Sequence, residues 1–315
     1  MEKNIFLKPV TTSKQWLTFV AVLWILISVS GCSDLDASVS EGWVVPLTIA
    51  GSTIGGTAQS RGTLTEGSIG VFLTNANGYT PKSDIQYEYR TDKWVPTVAK
   101  ESIMLGHQTA KVFAYYPYGK VTNAENSTVT LVAQPYGEEK EIFYATSGGN
   151  LCNATPTAIF NMKRAYARLK LSIGRDAGRY KGAGVISNIN LKNGSTFSKE
   201  RTLNIADGTI TGSTVSGGWS LPYSTTIAEG SADSNYDVLL PPQQVESGLT
   251  VTLTIDGKVR AVTVPPSRLS AGYITAGKQY RIKLTISDAE ISVTGSVTVS
   301  DFSSGSNTNT DASWD

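Results

Sequence analysis

The 315-residue chain is long enough for two ordinary domains. Its 27 basic and 26 acidic residues nearly cancel, so composition points neither to a nucleic-acid partner nor to an acidic disordered tail. Charged residues make up a low 17% and apolar residues 40%, so Ser, Thr and Gly supply much of the polarity around an ample core.

Lys3, Lys8 and Lys14 precede a largely apolar run over residues 16–29. That run has the length of a signal-peptide core and falls short of the ~20 residues of a spanning helix. It ends in Val29-Ser30-Gly31-Cys32. Small residues just before a cysteine resemble a bacterial lipobox. On that pattern residues 1–31 are a lipoprotein signal peptide and the Cys32 thiol carries the lipid, palmitate-type chains being the membrane device. An ordinary signal peptide cut elsewhere, or an uncleaved anchor, is the alternative. Acylation of Cys32 would leave Cys152 no cysteine in the chain to pair with. Residues 32–42 read as a lipidated tether, opened by Ser33-Asp34-Leu35-Asp36.

The first strand signal is "WVVPLTIA", residues 43–50, with Trp43, Val45, Leu47 and Ile49 on one face. Pro46 cannot donate to a ladder, which favours an edge position. A loop rich in Gly, Ser and Thr follows, and Arg61 is its one charge between Glu41 and Glu66. Period-two alternation then recurs along the chain. It places Ile69, Val71 and Leu73 on one face, then Ile85, Tyr87 and Tyr89, then Val129 and Leu131. Later runs align Leu169, Leu171 and Ile173, then Leu249, Val251, Leu253 and Ile255, then Tyr280, Ile282, Leu284 and Ile286. Asp256-Gly257 fits a two-residue hairpin turn, and Asp207-Gly208 plays a similar part. No long segment beyond residue 31 has a helical period. The chain therefore reads as all-β, with two tandem β-sandwich domains at 43–160 and 161–302 and a polar tail at 303–315.

Catalytic chemistry is scarce. The one histidine, His107, lies in a turn with no nucleophile elbow near it, and His107 and Cys152 are too few for a zinc site. No phosphate loop or EF-hand pattern occurs. Two distant acids could pair as in glycosidases, but none stands out. The chain reads as a non-enzyme without cofactor or metal. The cluster Phe113, Tyr115, Tyr116 and Tyr118 could mark a sugar-binding face. It fits better a strand whose aromatics fill the core and which stops at Pro117.

The order of these signatures resembles the fimbrillins, pilus subunits of Bacteroidetes-type bacteria. The carriers are Cys32, "WVVPLTIA", the Arg61 loop, "GSIGVFLT", "YEYRTDKWVP", "AKVFAYYPY", "FNMKRAYARLKLSI", "VLLPPQQVESGLTVTLTIDGK" and "AGYITAGKQYRIKLTISDAEISV". They span most of the mature chain. The resemblance implies two sandwiches of transthyretin-like, Greek-key type, and export as a lipoprotein to the outer membrane at the cell surface. It implies cleavage by an Arg- or Lys-specific protease in the loop after the first strand, here after Arg61, making Gly62 the new N-terminus. Lipid and first strand then leave together, and a strand of another pilus subunit fills the furrow. Pilus subunits, the membrane and a host or bacterial surface ligand are the implied partners, and nucleic acid is not.

The residues suit that scheme. A lost edge strand exposes unpaired backbone and an apolar furrow, which templates another strand. Glycines at 51, 55, 56 and 62 keep the Arg61 segment loose enough to thread a protease. Ile291, Val293, Val297 and Val299 form an alternating segment near the C-terminus, either a donor strand or simply the last strand of the second domain. A different class of function, a surface-anchored glycan-binding lipoprotein of a nutrient-uptake system, would need no strand–Arg loop–strand start.

Overall fold

A computed structural model describes residues 43–55, 62–212, 217–227, 234–288, 290–293 and 297–302. Among them the ordered elements are strands and four short 3-10 turns, with no α-helix. The first twelve strands are β1 (Val45–Pro46), β2 (Thr48–Ile54), β3 (Gly62–Thr63), β4 (Ser68–Leu73), β5 (Lys82–Arg90), β6 (Lys93–Pro96), β7 (Met104–Leu105), β8 (Val112–Tyr116), β9 (Thr128–Val132), β10 (Gln134–Pro135), β11 (Phe143–Ala145) and β12 (Thr157–Arg164). There follow β13 (Ala167–Arg175), β14 (Val185–Lys192), β15 (Glu200–Asn204), β16 (Ile210–Thr211), β17 (Trp219–Thr226), β18 (Ser234–Leu240), β19 (Gln243–Gln244), β20 (Leu249–Ile255), β21 (Lys258–Val264), β22 (Tyr273–Ile274), β23 (Lys278–Ile286), β24 (Ile291–Val293) and β25 (Thr298–Asp301).

The alternation read from the sequence is the burial pattern of the strands. In β20, Leu249, Val251, Leu253 and Ile255 are buried and the threonines between them are half-buried. In β12 every second residue from Ala158 to Arg164 is buried. Side chains of period two give each strand one inward face, and two such faces must cover one another. In the second half, β10-β18-β13-β23-β24 packs on β17-β14-β20-β21. Leu169, Leu171, Ile282 and Leu284 of the first sheet meet Ile189, Leu191, Val251 and Leu253 of the second in one core. Asp256 and Gly257 turn β20 into β21 with φ of 45° and 74°, the doubly left-handed turn that a two-residue hairpin requires. Asp207-Gly208 serves a wider turn between β15 and β16.

The first half is built on an eight-stranded sheet, ordered β3-β2-β12-β11-β8-β4-β5-β6. It curls over so that β2 packs on β6, and its inner face carries Ile49, Val71, Tyr87, Trp94 and Phe160. The opposite face of β4 and β8 presents Phe72, Phe113 and Tyr115, with the two phenylalanine rings stacked 5.0 Å apart. These rings are core, as "VFAYY" suggested, and β8 stops at Tyr116 before Pro117. The three-stranded sheet β16-β15-β9 covers them through Val129, Leu131, Leu203 and Ile205. Residues 128–135 thus pair with second-half strands, β9 on β15 and β10 on β18. β12 runs unbroken through positions 160 and 161.

Candidate functional site

The chain's first described strands change partners. Val45 and Pro46 pair antiparallel with Leu105 and Met104 of β7, and Leu47 N–H donates to the Ile103 carbonyl at 2.7 Å. One residue later, Thr48 N–H donates to Pro156 O at 2.8 Å and β2 runs parallel to β12. Pro46, with no N–H, occupies the step between the two ladders. Leu47 and Ile49 point into the first core. At Ala50 the register slips, Ala158 facing Ile49 and Ile159 facing Gly51. Such a bulge re-phases the strand, so Ser52 rather than Gly51 turns inward.

Two expectations for this strand are corrected. Trp43 is 64% exposed and does not share the buried face of Leu47 and Ile49, while Val45 is only half-buried. The switch between sheets rotates the inward direction, so strict alternation from Trp43 does not carry over. The strand also continues past Ala50 to Ile54, through a Gly-Ser-Thr stretch whose composition had read as loop. Parallel pairing with β12 holds it there through backbone groups, which leave no trace in side-chain pattern.

β2 covers β12 from Thr157 to Met162, whereas β11 reaches Lys163 and Arg164 from the other side. Beyond Ile54 the chain returns as β3, with Gly62 opposite Ile54 and Thr63 opposite Thr53. Gly62 is exposed at the base of this hairpin and a Cβ there would meet nothing within 4 Å. Arg61, like Cys32 and the tail from 303, lies outside the described residues. Cys152 is buried, with its Sγ 3.4 Å from the Thr155 hydroxyl.

The C-terminal segment is docked in cis. β24 and β25 both pair antiparallel with β23, Ile291 opposite Ile286, Val293 opposite Leu284 and Val299 opposite Tyr280. They form the edge of the second half's larger sheet. Ile291 is buried, and Val293, Val297 and Val299 are partly buried against the same core. Phe302 then closes the edge through its N–H to Gly277 O at 2.8 Å.

Sequence reading missed what holds Phe302. Arg164, at the end of β12, donates Nε to Glu141 at 2.6 Å and Nη1 to the Phe302 carbonyl at 2.7 Å. Burial pushes the Glu141 carboxyl upward, and the Arg164 charge opposes that push. Arg168 forks onto Asp237 at 2.9 and 2.6 Å and covers the Tyr136 ring at 3.6 Å. Two arginines in the otherwise uncharged "RAYARL" were the visible signal. Near this cluster, Gly55 at the end of β2 and Asp301 at the end of β25 line one cavity of about 320 Å³. Both ends of the described chain therefore converge on β12.

His107 lines a separate cavity of about 450 Å³ with Tyr79 and Met104. No group of three or more His, Cys, Asp or Glu fit to hold a metal exists among the described residues.

Comparison with known proteins adds three findings. The profile of a family described as fimbrillin-like matches residues 57–301. No curated protein matches. Among solved structures, a candidate cell adhesion protein from Bacteroides uniformis superposes with a TM-score of 0.56 at 17% identity, covering 81% of this chain and 97% of its own. A second from Bacteroides ovatus gives 0.56 at 15%, covering 83% and 99%. A fimbrial protein from Bacteroides vulgatus gives 0.53 at 12%, covering 81% and 99%. At such identities the likeness is one of fold.

Proposed function

The chain belongs to the fimbrillin-like family, and from that premise we propose that it is a structural subunit of a cell-surface adhesive pilus. It leaves the cell as a lipoprotein acylated at Cys32 and anchored in the outer membrane. An Arg- or Lys-specific protease cuts after Arg61, and Gly62 becomes the N-terminus. The segment released carries the lipid together with β1 and β2.

One observation carries this reading. β2 is the ladder partner of β12 over six residues, and Leu47 just before it and Ile49 within it plug the first core. Its loss would strip those backbone groups and open an apolar furrow of strand shape. Refilling it with two large side chains is worth about 3–6 kcal/mol before ordering costs, at roughly 1.5–3 kcal/mol per buried residue. An incoming strand of a second subunit supplies that burial without ATP. Within this scheme the donor is the alternating segment Ile291, Val293, Val297 and Val299, whose strands pair in cis along β23 at the edge of their sheet.

Limited trypsin digestion of the precursor, followed by an unheated SDS gel, tests the scheme. A ladder of oligomers that forms only after a cut at Arg61, and fails to form in Arg61→Ala, is the expected result. Trimming to a stable monomer overturns it.

A further inference from the structure

A second cavity, of about 320 Å³, opens in the second half between the turn after β14 and the segment around β19. Its lining is polar throughout. That is unusual for a cavity of ligand size, since such sites start at about 300 Å³ and are mostly apolar.

The walls are fixed before any ligand arrives. Gln243 is buried, accepts from Ser198 N–H at 2.9 Å and donates to Ser198 O at 3.0 Å. Asn193 is buried, donates to Gln244 O at 2.9 Å and accepts from Ser247 N–H at 3.2 Å. The two amides lock one wall to the other. What remains to face a ligand is polar, with one acid, Glu246, and one base, Arg201. Gln244 Nε2 donates to Glu246 at 2.6 Å, which leaves one oxygen of each side chain to accept. Ser198 and Ser247 line the same space. Arg201 also borders it, but all three of its nitrogens donate to backbone carbonyls, those of Thr211, Pro242 and Ile210. Those carbonyls fix the guanidinium without cancelling its charge, which stands against that of Glu246, so the lining as a whole favours neither anion nor cation.

An aromatic residue outside the lining neighbours it across a ladder. Tyr273 is the cross-strand partner of Gln244, both point outward, and Tyr273 is 49% exposed. Direct cross-strand neighbours on one face stand about 4.5–5.5 Å apart at Cβ. Acceptors and hydroxyls beside an open aromatic face match a ligand with many hydroxyls on one side and a C–H face on the other.

We propose that this cavity binds a neutral saccharide, with one pyranose ring against Tyr273 and its hydroxyls on Gln244, Glu246, Ser198 and Ser247. The site shares no residue with β2 and does not depend on strand exchange, so a subunit that never polymerises would still bind.

Saturation-transfer NMR on the full precursor tests this, using methyl pyranosides of mannose, galactose, glucose and N-acetylglucosamine, with N-acetylneuraminic acid as the anionic control. Transfer to at least one neutral sugar is expected, about tenfold weaker in Tyr273→Ala and in Gln244→Ala. Tyr273→Phe, which keeps the ring, retains most of the binding. Both positions are exposed, and an unchanged thermal midpoint certifies that each variant folds. Silence from every neutral sugar, binding of the acid alone, or binding that both alanine variants leave intact overturns the proposal and leaves a water-filled cavity.

Discussion

Arg164 lays its guanidinium 4.3 Å over the ring of Phe302 and donates to the Phe302 carbonyl at 2.7 Å, across 138 positions of sequence. The same β12 that carries Arg164 carries β2 along its earlier residues. One strand thus seats β2 near the start of the described chain and Phe302, the residue after β25. In the strand-exchange scheme, β12 is where an acceptor groove opens and where a donor segment is held back.

The Arg164–Glu141 pair is buried on both sides, each side chain 4% exposed. Removing one partner strands a charge in a low-dielectric site, at about 3–5 kcal/mol, whereas replacing both with apolar groups is often neutral or better. Arg164→Ala should therefore lower the urea midpoint strongly. A double variant, Arg164→Met with Glu141→Leu, should recover much of that loss. Equal losses in the two proteins would show that the pair itself, rather than the orphaned acid, holds the region. Amide exchange at Thr298–Asp301 should rise in both, because each lacks the bond to Phe302.

The N-terminal strand makes a graded prediction. Leu47 and Ile49 are 5% and 2% exposed, and each truncation to Ala should cost the uncut precursor about 2–5 kcal/mol through lost burial and a cavity. Trp43, 64% exposed, should cost within about 0.5 kcal/mol when changed to Ala. Denaturant melts of the three variants decide it. A costly Trp43→Ala would return that ring to the buried face of the strand.

Much of the fold was legible because period-two burial writes itself into side chains. β13, β20 and β23 follow their alternation, and Asp256-Gly257 supplies the turn its residue types demand. The rest was written in backbone pairing or in distant partners. Gly51-Ser52-Thr53 joins a sheet through a parallel neighbour more than 100 positions away, and no local pattern records that. Glu141 lies 23 positions from Arg164, and Asp237 lies 69 from Arg168, so neither ion pair has a sequence spacing to recognise.

The Asp256 turn makes a prediction with a sign at each end of the pH scale. Its carboxylate accepts from the Tyr180 hydroxyl and from the N–H groups of Gly184 and Val185, both at 2.9 Å. The Tyr180 bond foremost, then the two backbone bonds, hold its pKa below the ordinary 3.8. A depressed folded value means that this stabilisation is present above about 3.8 and is lost as pH falls through the lower, folded value. Tyr180 moves the other way. Burial, then its bond to Asp256, pushes the phenol up from 10.0 to about 12. Its contribution is full below about 10 and lost as pH rises toward about 12. The difference in urea midpoint between the natural protein and Asp256→Asn should therefore be level from about pH 5 to about pH 9 and shrink beyond both limits. Tyr180→Phe should abolish the alkaline limb and keep part of the acid one, since the two N–H donors remain. A difference that widens toward acid would mean that Asp256 is held protonated in the fold, against the geometry of its three donors.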